Sequence, residues 1–336
     1  MLAIVVNQPG SIALDDRPVP PEPEAGWVAI DIAYAGLCGT DYHIYEGKHP
    51  YLRYPRVIGH ELSGLVAADT AGWRRGQSVI INPYIACGIC HACQRGKPNC
   101  CMNIGVLGVH RDGGLCARIN VPAANLISAE GLAQDEAATV EFLAIGAHAV
   151  RRAAPGPSDR VLVVGAGPIG LGTALFARLR GAEVHLLDAS AERLAMVADR
   201  FGFEHAHTVA EGTDALMAAT GGDGFDVVLD ATGSPRAMAA SFRLVAHGGT
   251  LVFVGVVPDD ITFNDAEFHK REMSLLGSRN ATSEDFATVV AALASRKIDY
   301  QSLITHRTGI EGLPDKMAEW AADRSQLIKA MVSVGH

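Results

Sequence analysis

The stretch Val161-Leu162-Val163-Val164-Gly165-Ala166-Gly167-Pro168-Ile169-Gly170 decides the fold of the second half of this chain. An apolar, strand-like run leads here directly into the pattern G-x-G-x-x-G, and a helix-like segment, Leu171 to Arg178, follows it. A second strand-like run, Glu183 to Leu187, ends in Asp188, about 20 residues after the glycines. A lone G-x-G-x-x-G is weak evidence. Between a strand and a helix, with the acid in place, it predicts a dinucleotide-binding unit.

The glycine turn also predicts how the dinucleotide is held. Glycines allow a tight turn and a close approach of the backbone to a pyrophosphate, which then lies at a helix N-terminus. The residues of this turn expected to contact the cofactor are Gly165, Gly167, Pro168, Ile169 and Gly170. Asp188 should accept hydrogen bonds from the adenosine ribose and repel a 2′-phosphate, which favours NAD over NADP. Arg193 either covers the adenine or is a solvated helix residue.

Further strand-like runs follow the dinucleotide motif. They are Asp226 to Asp230, Thr250 to Val254 and Met273 to Leu276, with helical segments between them, and a helix pattern from Ser283 to Ser295 comes next. Strands alternating with helices predict an α/β fold with a doubly wound parallel sheet. We therefore expect residues 151–295 to form a Rossmann domain.

The first part of the chain has a different pattern, with short strand-like runs such as Val28 to Tyr34 and Gln77 to Ile81 between many turns. Four cysteines here follow the spacing C-x2-C-x2-C-x7-C, at Cys87, Cys90, Cys93 and Cys101. Four converging thiolates leave no open position, so this spacing predicts a structural zinc site. Cys100 is an alternative fourth ligand, and Cys116 is expected to be a packed core thiol.

Earlier in the chain, Cys38-Gly39-Thr40-Asp41-Tyr42-His43 and Gly59-His60-Glu61 bring together another set of polar side chains. A thiolate with an imidazole suits zinc, and a catalytic zinc has three protein ligands and one open position. Alone, a cysteine and a nearby histidine are common in ordinary cores. The four-cysteine segment downstream supports the interpretation of this pair as zinc ligands.

These motifs, in this order, resemble the zinc-dependent medium-chain alcohol dehydrogenases over essentially the whole chain. The resemblance implies a GroES-like, β-rich catalytic domain at 1–150, completed by 296–336. It implies two zinc ions per chain, one structural and one catalytic, the latter on Cys38 and His60, with Asp41 orienting the His60 imidazole. The third catalytic ligand is expected to be Glu141, where Phe142 replaces the family's usual proline. Glu61 and His148 are the alternatives.

The same resemblance implies a reaction. A substrate hydroxyl would lose its proton to Thr40 and then, through the cofactor ribose, to His43, while hydride passes to NAD. His43 suits the last step because imidazole titrates near neutral pH. Glu61 in this family lies behind the zinc and joins it transiently. Taken singly, Thr40 is as consistent with a turn hydroxyl and His43 with a surface histidine.

The predicted substrate is a secondary alcohol of a sugar acid or polyol. Polar segments at 107–114 and 277–280 resemble the bacterial sugar-acid branch of the family, which includes L-galactonate 5-dehydrogenases. Arg279 or Arg111 could pair with a substrate carboxylate, with Asn280 and, on the cofactor side, Ser278 beside them. An L-threonine 3-dehydrogenase is the alternative enzyme, and a zinc- and NAD-binding redox sensor without turnover is the alternative of another class.

Composition limits the partners of the chain. It has 336 residues, 49% of them hydrophobic, and a formal net charge of −9 without a basic cluster, which argues against nucleic acid or an anionic membrane surface. The longest apolar run, Val161 to Ala177, is short for a membrane span. The first residues lack a secretion signal, and seven cysteines with four in one cluster favour reduced thiolates, so a cytoplasmic protein is expected. The family's homodimers and homotetramers imply a homo-oligomer.

Overall fold

The computed structural model describes residues 1–49, 52–70 and 72–335. In chain order, its strands are β1 (Leu2–Gln8), β2 (Ser11–Asp16), β3 (Trp27–Leu37), β4 (Arg56–Val57), β5 (Glu61–Val66), β6 (Ser78–Ile81), β7 (Tyr84–Ile85), β8 (Gly105–Val106), β9 (Arg118–Pro122), β10 (Leu126–Ser128), β11 (Arg160–Val164), β12 (Glu183–Asp188), β13 (His205–Thr208), β14 (Phe225–Asp230), β15 (Val245–Phe253), β16 (Ser274–Gly277), β17 (Ile304–Gly309) and β18 (Lys329–Ser333). Its α-helices are α1 (Gly39–Tyr45), α2 (His91–Gln94), α3 (Gln134–Ala137), α4 (Val140–Ala153), α5 (Pro168–Leu179), α6 (Ala191–Phe201), α7 (Gly212–Ala219), α8 (Pro235–Ser241), α9 (Asp265–Lys270), α10 (Ser283–Ala294), α11 (Tyr300–Leu303) and α12 (Leu313–Ala322).

The chain divides into two compact units, one of Met1–Glu141 with Thr282–His336 and the other of Phe142–Ala281. The predicted division lay later, at 150/151 and 295/296. Local packing explains both differences. In α4, a Cβ added at Gly146 would lie 2.5 Å from the backbone of Gly172 in α5, so α4 packs tightly against the second unit's own helix. In α10, Phe286 meets the ring of Tyr84 edge-on, with ring centroids 6.5 Å apart, which places α10 with the first unit.

The first unit is β-rich, and its main sheet has the order β10-β6-β5-β3-β18-β17, with β9 also paired to β3. The long strand β3 lies between β5 and β18, and its Gly36 pairs with Glu61 on one side and Met331 on the other. A second sheet has the order β2-β1-β4. Alternating apolar residues of these sheets form a shared core that includes Ile4, Ile30 and Leu62. This strand order places β18, the last strand, beside β3.

The second unit is built on a parallel sheet with the order β13-β12-β11-β14-β15-β16. The strand β11 is central, and Val161 to Val164 are buried, as expected of a parallel strand covered on both faces. The predicted doubly wound sheet is confirmed. The strands β12, β14 and β16 lie within one residue of the predicted runs, whereas β15 begins five residues earlier than predicted and β13 was not predicted. The apolar stretch from Val161 to Ala177 is divided between β11 and α5. Of the helices in the described residues, none combines the length and the apolarity that a membrane crossing requires.

Candidate active site and cofactor-binding turn

Helix α1 begins at Cys38, and its first turn organises the predicted catalytic centre. Cys38 has extended backbone angles, and its N–H donates to Asp41 Oδ2 at 2.9 Å, as in a capping box. The fully buried Asp41 uses its other oxygen to accept from the Gly59 N–H at 3.2 Å and lies 3.7 Å from His60 Nδ1. One carboxylate therefore connects the start of α1 with the loop that carries His60.

Cys38, His60 and Glu61 form a compact group, with one ligand atom from each lying within 4.8 Å of the others. His60 is 5% exposed and Glu61 is fully buried. Burial by itself would lower the pKa of His60, but Asp41 and Cys38 outweigh it and raise the pKa well above its usual value. Among the described residues, His60 Nδ1 and Glu61 Oε2 are buried without a hydrogen-bond partner. A thiol, an imidazole and an orphaned carboxylate oxygen are the donors that zinc accepts, so these residues fit the metal.

Glu61 is held by a residue that the sequence analysis did not single out. Lys329 is 1% exposed, and its Nζ donates to Glu61 Oε1 at 2.6 Å and to the Leu37 carbonyl at 3.1 Å. Opposite Glu61, an added Cβ at Gly36 would come within 2.2 Å of Glu61 Oε2. Because Gly36 has no side chain, there is room for this oxygen. A lone lysine in the last strand carries no sequence signal for this pairing.

Glu141, predicted as the third ligand, lies at the start of α4 and is 3% exposed. Its Oε1 accepts a hydrogen bond from the hydroxyl of Tyr84, a second residue that sequence reasoning missed. Burial raises the pKa of Glu141 to about 7, against the opposing effect of the His60 charge. In the described residues, the compact donor group contains Glu61 and not Glu141. Glu141 is nevertheless close enough to His60 for each to influence the other's pKa.

The other predicted residues of this centre lie around it or apart from it. Thr40 is half-buried, and its Oγ1 lies 3.8 Å from Cys38 Sγ. His43, three residues further along α1, is exposed, and partial desolvation and the Arg324 charge lower its pKa from the usual 6.5. His148, the other alternative ligand, belongs to the second unit, where its Nδ1 lies 3.2 Å from Arg151 Nη2.

The four cysteines of the segment 87–101, called the lobe from here on, converge as the spacing suggested. One sulfur from each of Cys87, Cys90, Cys93 and Cys101 lies within 4.8 Å of the others, whereas the Cys100 side chain is exposed. Cys90 Sγ is 3.5 Å from Cys93 Sγ and 3.9 Å from Cys101 Sγ. Tetrahedral zinc with Zn–S bonds of about 2.3 Å requires sulfurs about 3.8 Å apart. Backbone N–H groups of Cys93 and Met102 lower the pKa of Cys90 to about 6, which favours the thiolate. Cys116 is a buried thiol outside this group, as predicted.

In the second unit, the predicted dinucleotide turn joins β11 to α5, whose N-cap is Gly167. Gly165 has a φ of +97°, and an added Cβ at Gly170 would meet the Gly165 carbonyl at 1.7 Å, so both positions require glycine. Asp188 ends β12 and accepts from the N–H groups of Ala166 at 2.6 Å and Ser190 at 2.8 Å. These bonds fix the carboxylate beside the turn.

The residues predicted to contact the cofactor or substrate beyond this turn lie on the surface or partly below it. Arg193 follows the Ser190 N-cap of α6 and is half-buried, and its backbone N–H donates to Ser190 Oγ. Ser278 follows β16, and within the described residues its buried hydroxyl has no hydrogen-bond partner. Arg279 is exposed, and Asn280 has a φ of +53°.

Arg111 is exposed in the first unit, where its side chain lies across Gly105. An added Cβ at Gly105 would lie 2.7 Å from Arg111 Nε. The exposed Arg111 side chain therefore lies against backbone that carries no side chain.

Two family models match the chain in the positions that this architecture suggests. The model described as "Alcohol dehydrogenase GroES-like domain" matches residues 24–131, and the model described as "Zinc-binding dehydrogenase" matches residues 168–295. The first match includes Cys38, His60 and the four lobe cysteines. The second begins inside the glycine turn.

Curated relatives and solved structures match the chain over nearly its full length. L-galactonate-5-dehydrogenase of Escherichia coli K12 is 42% identical over 339 residues, which cover 99% of each protein. L-threonine 3-dehydrogenase of Pyrococcus horikoshii is 30% identical over 318 residues, 91% of each protein. The crystal structure of the alcohol dehydrogenase RspB from Escherichia coli CFT073, complexed with NADH, superposes with a TM-score of 0.92 at 30% identity and 99% coverage of both chains.

Proposed function

This chain belongs to the zinc-type medium-chain alcohol dehydrogenases, and we propose that it oxidises a secondary hydroxyl of a sugar acid, with NAD as hydride acceptor. The observation that carries this proposal is the compact donor group of Cys38, His60 and Glu61, with the Thr40 hydroxyl 3.8 Å from the Cys38 sulfur. A set of thiol, imidazole and carboxylate ligands beside a hydroxyl suits the activation of an alcohol.

Cys38 and His60 would hold the catalytic zinc, with Glu141 or Glu61 as the third ligand. When bound, zinc acts as a Lewis acid that lowers the pKa of a hydroxyl beside it. The Asp41 carboxylate, 3.7 Å from His60 Nδ1, favours a ring orientation in which Nδ1 faces Asp41 and Nε2 would face the metal. Lys329 neutralises Glu61, so that the buried site does not carry an unpaired carboxylate.

The proton leaves through residues of α1. Thr40 Oγ1 would accept it from the substrate hydroxyl while its own proton passes, through the cofactor ribose, to the exposed His43 imidazole, which would release it to solvent. Because partial desolvation and Arg324 lower the pKa of His43, this imidazole is neutral and able to accept a proton at pH 7. The roles of Thr40 and His43 rest on their spacing of three residues in α1, which places them on the same face of the helix.

NAD would bind the second unit at the glycine turn. The pyrophosphate would lie against the N-terminus of α5, where Gly165 and Gly170 leave room for the backbone to approach it. Each carboxylate oxygen of Asp188 accepts one hydrogen bond from a backbone N–H and has a second lone pair that could accept one from a ribose hydroxyl. A negative carboxylate fixed at this point opposes a 2′-phosphate, which supports NAD over NADP.

The substrate class is proposed from two sources. The named relative at 42% identity acts on L-galactonate, whereas the L-threonine relative is 30% identical. Arg111 and Arg279 are exposed guanidinium groups that could pair with a sugar-acid carboxylate, which makes each a candidate for specificity. L-Threonine is the alternative substrate, because it too is a secondary alcohol with a carboxylate.

The test is NADH formation by the zinc-loaded enzyme with L-galactonate, other sugar acids, neutral polyols and L-threonine. We expect a sugar acid to give the highest kcat/KM. Arg279→Ala or Arg111→Ala should reduce kcat/KM for the acid about 10- to 100-fold, because a charged hydrogen bond is lost, with little change for a neutral polyol. Arg152→Ala, at an exposed position of α4, is the matched control. Preference for neutral polyols, or equal losses for acids and polyols, would overturn the substrate assignment.

A further inference from the structure

A group of histidines and glutamates occupies one face of the second unit's sheet, away from the glycine turn. Glu183 and His185 alternate on β12 and therefore point to the same face. In the parallel pairing of β12 with β13, His185 lies directly opposite His205. The sequence places these residues 20 positions apart, and only the strand register unites them.

The ligand atoms of this group are close enough to share one ion. Glu183 Oε1 is 2.9 Å from His185 Nε2 and 3.8 Å from His205 Nε2, and one ligand atom from each of the three residues lies within 4.8 Å of the others. The two imidazole rings are stacked, with centroids 4.3 Å apart and planes inclined by 13°. Both Nε2 atoms therefore approach the same carboxylate oxygen from one side.

An outer layer of partners orients His185. Its Nδ1 lies 3.0 Å from His207 Nε2, and His207 Nδ1 lies 3.7 Å from Glu211 Oε2. Without an ion, the 2.9 Å contact is a hydrogen bond in which His185 Nε2–H donates to Glu183 Oε1. An ion in place of that proton would take the Nε2 lone pair and leave His185 Nδ1 as the donor to His207, whose Nδ1 faces Glu211. Metal-bound histidines in proteins have this arrangement, in which the second ring nitrogen donates to a fixed acceptor.

Burial and charge agree with a ligand role. The His185 side chain is 1% exposed and packs edge-on against Phe225, with ring centroids 5.1 Å apart, so its position is fixed. Burial lowers the pKa of His185, which keeps the imidazole neutral, as a ligand must be. Glu183 and His205 are 47% and 44% exposed, so an ion and its water can reach them.

We infer that Glu183, His185 and His205 form a third metal site, which takes a divalent late first-row ion such as zinc, with water in the remaining position. Its ligands are two imidazoles and a carboxylate, without a thiolate. This set distinguishes it from the four-cysteine lobe and from the Cys38 group, the donor group of Cys38, His60 and Glu61. The site connects the edge strand β13 with β12. It lies near the N-terminal end of β12, whereas Asp188 is at the C-terminal end. This inference is independent of the proposed substrate and cofactor.

The test is a Zn²⁺ titration of the full-length, zinc-loaded and desalted enzyme by calorimetry, with bound zinc counted by elemental mass spectrometry. Glu183→Gln and His205→Gln are compared with His247→Gln, an exposed histidine elsewhere in the same unit. We expect the wild type and His247→Gln to bind one more zinc ion per chain than either site variant. All four proteins should keep the same kcat and, in the absence of added metal, the same unfolding temperature, since Glu183 and His205 are half-exposed.

An extra zinc ion that is lost in both site variants supports the site. No extra ion in the wild type, or an extra ion retained in either site variant, overturns it. The number of bound ions separates this result from the proposed function, because failure of the panel of sugar acids would leave the titration unchanged.

Discussion

The two predicted zinc sites of the first unit are built in opposite ways. The lobe takes all its ligands from residues 87–101, and its neighbours Ile89 and Met102 are each 79% exposed. Nearby backbone N–H groups lower the pKa of Cys87 and of Cys90, which favours their thiolates. The Cys38 group takes its ligands and their supports from α1, β5, β7, α4 and β18, and His60, Glu61 and Glu141 are all at most 5% exposed.

The comparison indicates which part of the molecule each site depends on for its structure. The lobe site is local, is specified by the spacing of its ligands and has no open coordination position. Loss of its zinc should therefore affect the structure of the lobe. A buried site assembled from distant strands depends on the whole unit, and its charges are tolerated only because they are paired. Four substitutions test the contrast.

The largest effect is expected for Cys38→Ser. Loss of a thiolate ligand should remove the catalytic metal and lower kcat about 10³-fold or more, because the metal supplies several kcal/mol of stabilisation to the reacting oxygen. The lobe zinc should be retained. Cys100→Ser, at the exposed cysteine outside the lobe group, is the control, and zinc content with steady-state NADH formation are the measurements. Normal turnover in Cys38→Ser would contradict the assignment.

Lys329→Met should destabilise the protein by about 3–5 kcal/mol, because it leaves Glu61 buried without its partner. Lys316→Met removes an exposed lysine that pairs with Glu319 at 2.7 Å and should cost about 0–1 kcal/mol. Urea unfolding of both variants measures the difference. Equal losses would show that burial of the Glu61–Lys329 pair has no energetic consequence.

Thr40→Val should lower kcat about 10²-fold, since a positioned proton acceptor contributes at least this much. Zinc content and NAD affinity should be unchanged, because the hydroxyl is 3.8 Å from Cys38 Sγ and valine keeps its shape. Thr40→Ser, which retains the hydroxyl, should recover most of the rate. A Thr40→Val enzyme with near-normal turnover would remove Thr40 from the proton path.

The smallest effect on turnover is expected for Cys90→Ser. The variant should lose one zinc ion per chain and become sensitive to proteolysis within the lobe, while the folded enzyme keeps kcat within about twofold, as expected of a closed site. Limited proteolysis followed by mass spectrometry locates the cleavage. A loss of turnover as large as that of Cys38→Ser would contradict the assignment of a structural role to the lobe zinc.

The sequence by itself determined whatever is encoded in neighbouring residues. The glycine turn with Asp188 predicted the parallel sheet and its cofactor edge, and the spacing of Cys87 to Cys101 predicted a convergent thiol group. Cys38 and Asp41 are three residues apart, so one helix turn places them together. Such features follow from local geometry: turns, capping and short loops between ligands.

Only the tertiary structure decided what surrounds these motifs. Lys329 reaches Glu61 across 268 residues because β18 and β5 both flank β3. Tyr84 meets Glu141, and His185 meets His205, for the same reason: each contact depends on the packing or register of elements that are not adjacent in sequence. Hydrophobic periodicity tells which face of a strand is buried, but it does not identify the strand's neighbour, and these pairs depend on the neighbour.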